Sequence, residues 1–178
     1  MLILLTGFIW GLSEATLFFL VPDIWLTWVV LHHTDKAIPT YLWTLVGALV
    51  GGTIMYLWSI ENPSLVKQLL DDIPAISLEL IHHSAANLNN HGFTAMLSGS
   101  FSGTPYKLYS SQAYAANISL AGFLLMTIPA RLARWSILGL LTWLIKISMT
   151  QRYQEGLTSF WVIVWCLNYL VYFLIMDN

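Results

Sequence analysis

FSGTPYKLYSSQAYAANISLAGFLLMTIPARLARWSILGLL, residues 101–141, is apolar enough to sit in hydrocarbon, yet it holds Lys107, Arg131 and Arg134 and is interrupted by Pro105 and Pro129. A charge at the centre of a bilayer costs about 2.5–3.5 kcal/mol even on insertion scales. Three cations in such a stretch therefore require partners, water or a task. The complementary charge lies near the start of the chain, where Leu2 to Leu31 is uncharged except for Glu14 and Asp23. Arg131 and Arg134 are three residues apart and share one face of a helix. If the two segments meet, opposite charges can pair across them.

The rest of the composition supports a membrane setting. Of 178 residues, 57% are hydrophobic and only 9% charged, with a mean hydropathy of +0.69, where soluble domains carry about 25% charged residues. An all-α integral membrane protein is expected. Tyr41 to Ile60 and Leu157 to Met176 contain no charge, and each matches the roughly 20 residues a spanning helix needs. The net charge of −2 offers no field for nucleic acid. Cys166 is the single cysteine, so no intrachain disulfide can form. Met1 to Trp10 lacks the positive charge of a secretory signal, and the N-terminal segment is expected to be retained.

The segment 1–31 would extend about 45 Å as one helix, against a hydrocarbon about 30 Å thick. A re-entrant hairpin that breaks near Gly11 to Ala15 fits better, with Glu14 near the break and Asp23 on the returning arm. A spanning helix over 41–60 follows, in which Gly47, Gly51 and Gly52 permit close approach of a neighbour, or of a second copy in a homodimer. Residues 63–90 read as an amphipathic helix too polar to span, lying at the interface. Residues 93–118 read as a second re-entrant hairpin, followed by spans over 120–146 and 157–176. Gly99, Gly103 and Pro105, with Thr104 between the last two, mark a break in this part, with further breaks expected at Gly122 and Pro129. The order resembles two inverted repeats plus a C-terminal helix, and interrupted segments at matching places point to a transport site.

Three bases against two acids leave a cation over, and phosphate suits the excess, because arginine offers forked donors and lysine a mobile point charge. The break at Gly103-Thr104-Pro105 would add free backbone N–H groups and a half-helix N-terminus. The histidines, His32-His33, His82-His83 and His91, have no metal-site spacing, and no nucleophile elbow, HExxH or P-loop is present. No metal, no cofactor and no enzymatic activity are expected.

SEATLFFLVPDIWL (13–26), GALVGGTIMY (47–56) and GTPYKLYSSQAYAANISLAGFLLMTIPARLARW (103–135) together resemble the DedA family, also called the SNARE-associated Golgi or VTT-domain family, in its YqaA-like branch. The likeness implies two inward re-entrant hairpins and lipid translocation, of phospholipid or undecaprenyl phosphate in bacteria and by scrambling in eukaryotic relatives. By position it implies Glu14 and Asp23 as the acids of the first hairpin, linked to protons, with Lys107, Arg131 and Arg134 as the basic set. Lys107 stands where many members have arginine, and MTIPARLAR lacks the glycine that others place before the arginine; both departures bear on substrate choice.

The expectation is a multi-pass protein, in a bacterial inner membrane, that moves a phosphate-bearing lipid through a polar groove between the hairpins. Lys107, Arg131 and Arg134 would hold the phosphate, and Glu14 and Asp23 would compete for those cations and bind protons. The alternatives are a proton-coupled exporter of small cations or drugs, and a structural membrane protein.

Overall fold

The computed structural model describes residues 1–18, 21–74, 76–149 and 151–176, with backbone alone for 151–155, 173 and 175–176. Phe19 and Leu20 of the first motif lie outside the described residues. Every regular element described is helical.

Helix α1 (Leu2–Ala15) continues through the Gly11 to Ala15 stretch where the break was expected, and turn residues Thr16 and Leu17 follow it. Thr16 closes the helix, its amide donating to the Ser13 carbonyl at 3.2 Å. Helix α2 (Pro22–His32) begins on a proline, whose missing N–H costs nothing in a first turn. Asp23 sits beside it, where the helix dipole favours an acid. Trp25 stacks on Trp10 with centroids 5.8 Å apart and donates its indole N–H to the Ile3 carbonyl, so α2 folds back against α1.

A 3₁₀ turn (Thr34–Lys36) leads into α3 (Ala37–Glu61). Glycines let α1 and α3 pack backbone to backbone: a Cβ on Gly47 would fall on the Phe8 carbonyl oxygen, and one on Gly11 on the Thr44 carbonyl oxygen. This explains why Gly11 is not a hinge. A Cβ on Gly51 would lie 2.8 Å from the Ala15 Cβ, and Gly52 faces Tyr106. All three glycines of the α3 stripe are thus occupied within the chain and present no face to a second copy.

Residues 63–90 form two helices, not one. Helix α4 (Pro63–Asp71) and α5 (Leu78–His91) are separated by a turn, and Ser77 caps α5 by accepting from the Leu80 amide at 3.2 Å. Part of their apolar surface is buried, Val66, Leu70, Ile73 and Ile81 closing a cluster with Met55 of α3 and Leu108, while Leu65 and Leu78 stay exposed.

Helix α6 (Phe93–Ser102) ends at Gly103, whose φ of +89° is the left-handed conformation that glycine adopts without a Cβ clash. Helix α7 (Tyr106–Gln112) follows Pro105 and is seven residues long. The turn after it is tied to α3 by the Tyr56 hydroxyl, which donates to the Ile118 carbonyl at 2.8 Å. Helix α8 (Leu120–Ser148) then runs unbroken, contrary to the breaks expected at Gly122 and Pro129. Gly122 lies in the capped first turn, its amide donating to Ser119 Oγ. Pro129 sits within the helix, which absorbs the lost backbone bond. Helix α9 (Gln151–Met176) completes the chain.

Among the described residues, two stretches are long and apolar enough to cross a membrane, Thr34–Glu61 with 28 residues and Leu120–Ser148 with 29. Leu2–Ala15 and Gly156–Tyr172 are shorter apolar helices. Outward faces are apolar too: Leu42, Val46, Val50, Ile54 and Leu57 form an exposed stripe on α3, and Leu140, Leu141, Leu144 and Ile147 form one on α8.

Candidate anion cavity

The two chain breaks meet. Lys107, in the first turn of α7, extends its ammonium to the break between α1 and α2 and donates to the Phe18 carbonyl at 2.6 Å. Glu14, in the last turn of α1, and Asp23, in the first turn of α2, flank that break. Helix α8 passes alongside with its arginines spaced to reach both acids. Arg131 Nη2 lies 2.6 and 2.7 Å from the two Glu14 carboxylate oxygens. Arg134 Nη2 is paired with Asp23 Oδ2, while its Nη1 donates to the Ser100 carbonyl of α6 at 2.6 Å. The acids of the first segment are therefore matched one to one by the arginine pair.

Lys107 is different. It is 2% exposed, and among the described residues it makes no ion pair. Burying an ammonium against one carbonyl leaves most of its donor capacity unused. The pairs are also incompletely satisfied: Asp23 Oδ1 and Arg131 Nε are buried without a hydrogen-bond partner. Buried polar groups nearly always find partners, so the cluster is set up to take further polar contacts.

These groups border one cavity of about 480 Å³. Glu14, Asp23, Gly103, Thr104, Pro105, Lys107, Arg131 and Arg134 all line it, although they come from five parts of the chain. Three cations minus two carboxylates leave the lining with one net positive charge. The half-helix expected after Pro105 contributes less than its sequence implied, because seven residues align few peptide dipoles. Charge here comes from side chains.

Several contributors had no signal in the sequence. Tyr106 lies under Arg131, with the guanidinium carbon 4.2 Å from the ring centroid, a cation–π contact that fixes the plane of the guanidinium. The ring is held in turn by stacking on Phe123 and by a 2.9 Å hydrogen bond between its hydroxyl and Thr127 Oγ1. Gly52 makes room for that hydroxyl. Asn168, Tyr169 and Tyr172 of α9 wall the cavity on the remaining side. Aromatic and hydroxyl residues of these types are common in apolar helices, and only the fold turns these ones inward.

The histidines do not gather. His82 is within α5 and lies 2.7 Å from Lys67 Nζ, and His32 Nε2 contacts Thr158 Oγ1 at 3.0 Å. No cluster of three metal-ligating side chains occurs among the described residues. Comparison with protein-family models, curated proteins and solved structures finds no match to this chain.

Proposed function

We propose that the protein is a multi-pass membrane protein of the DedA type, in a bacterial inner membrane, that carries a phosphate-bearing lipid across the bilayer with its head group in the charged cavity. The observation that carries this reading is Lys107: a buried cation that makes no ion pair among the described residues, on a cavity that also holds two arginines. The exposed apolar stripes on α3 and α8 support a lipid surround, since soluble monomers rarely expose apolar patches of more than a few hundred Å². The helix pairs α1/α2 and α6/α7 then act as the two re-entrant hairpins, and α3, α8 and α9 as the spans.

In this reading no covalent bond is made or broken. The obstacle is electrostatic, because an ionised group in idealised hydrocarbon faces a cost of tens of kcal/mol. The cavity lowers it by presenting fixed cations. Phosphate first meets Lys107, then competes with Glu14 and Asp23 for Arg131 and Arg134. Protonating either acid releases its arginine, which links lipid movement to protons. Both acids are committed to arginines in the structure, so their charge is already neutralised and a small-cation exporter finds less support.

The test is transbilayer movement of a fluorescent phospholipid, and separately of a polyprenyl phosphate, in liposomes containing the purified protein. Lys107→Gln is expected to lower the rate about tenfold or more, the scale on which loss of a hydrogen bond to a charged group acts. An unchanged rate in a folded, inserted Lys107→Gln protein would exclude the assignment.

A further inference from the structure

Beside the charged cavity lies a second, apolar recess of about 180 Å³, and the two share Leu138 in their walls. We propose that this recess seats one hydrocarbon chain of the lipid whose phosphate occupies the charged cavity, an inference that rests on reading that cavity as a phosphate site.

The register of three helices carries the proposal. On α2 the charged cavity is lined by Asp23, and the recess by Thr27 and Leu31, one and two turns further on. On α8 the cavity has Arg134, and the recess has Leu141 and Ile145 beyond the shared Leu138. On α9 the order is reversed, as for a helix running the other way: Asn168 and Tyr169 line the cavity, and Trp165 and Trp161 the recess. All three walls thus change from polar to apolar in the same direction. From Leu138 to Ile145 the recess follows about 10 Å of helix. A head group and the start of its chain need this arrangement, and an inorganic anion does not.

The recess also holds nothing that would draw water. Thr27 Oγ1 is 2.6 Å from the Asp23 carbonyl and accepts the indole N–H groups of Trp161 and Trp165 at 2.9 and 3.2 Å. Thr142 Oγ1 donates to the Leu138 carbonyl at 2.7 Å. With both hydroxyls engaged, the remaining lining of this open groove is apolar side chains and indole, a surface that favours an apolar guest over water.

The experiment measures binding of inorganic phosphate and of dibutanoyl, dihexanoyl and dioctanoyl phosphatidic acid to the purified full-length protein, alone and with the recess filled by Leu141→Trp. Affinity is expected to rise with chain length by about fourfold per methylene that enters the recess. Leu141→Trp should flatten the series while phosphate binding persists, which also reports a folded protein. Val164→Trp fills the recess from α9 and should do the same. Equal affinity for all four probes in the unmodified protein, or an unaltered series in both filled variants, would overturn the chain seat and leave the phosphate site standing. No binding of any probe would overturn both.

Discussion

Arg131→Met is expected to destabilise the protein by about 3–5 kcal/mol, whereas the double replacement Glu14→Gln with Arg131→Met should recover most of that loss. The reason lies in what each variant leaves behind. Arg131 and Glu14 side chains are 7% and 12% exposed and are joined at 2.6 Å. Removing the guanidinium strands a carboxylate in an apolar surround, and the methionine supplies packing against Tyr106 but no charge. Removing both charges ends the desolvation penalty together with the attraction. Denaturant unfolding of the two single variants and the double variant in detergent gives the coupling energy directly. A cost below about 1 kcal/mol for Arg131→Met would place the pair in solvent-like surroundings, as for exposed ion pairs.

Gly47→Val is expected to cost about 3 kcal/mol or more, above the usual range for an overpacked core site. The added carbon would fall on the Phe8 carbonyl oxygen of α1, and backbone cannot rotate aside as a side chain can. Relief requires α1 to move off α3, which also withdraws Glu14 from Arg131. Gly156 supplies the control, because a Cβ there meets nothing within 4 Å. Gly156→Ala should stabilise by about 0.5–1 kcal/mol through lower chain entropy and better helix propensity. Thermal unfolding of both variants checks the pair of expectations; a neutral Gly47→Val would show that α1 and α3 are not in backbone contact.

The sequence carried the charge segregation plainly, because ionised residues are rare in apolar runs and their positions stand out. It also carried the break at Gly103 to Pro105, where a left-handed residue and an N-terminal proline leave local chemical marks. Glycine elsewhere was ambiguous: Gly11 and Gly122 suggested breaks, but one is a contact point and the other lies in a capped first turn. A missing Cβ serves a hinge and a close approach alike, and only the neighbouring helix tells them apart. Pro129 misled for a related reason, since a long helix held by its neighbours tolerates one lost bond.

Partner choice among the charges was not legible. Arg131 with Glu14 and Arg134 with Asp23 follow from the crossing of α8 over the first break, which no local pattern encodes. The same is true of Lys107: the charge count left one cation over without saying which, and its partner is a carbonyl. The wall contributed by α9 was hidden because its polar residues, Asn168, Tyr169 and Tyr172, are spaced through a segment that reads as an ordinary span.

Competition between phosphate and carboxylate for the same cations is what separates a lipid groove from a set of buried ion pairs. The direct measurement is the rise in unfolding temperature given by phosphatidic acid, relative to diacylglycerol, in the unmodified protein and in Glu14→Gln. A ligand that binds the folded state stabilises it in proportion to its affinity. With Glu14 neutralised, Arg131 is open to the phosphate, so the lipid should stabilise Glu14→Gln by more than it stabilises the unmodified protein. An equal or smaller rise in Glu14→Gln would mean that Arg131 serves Glu14 alone, and the cations would then be structural.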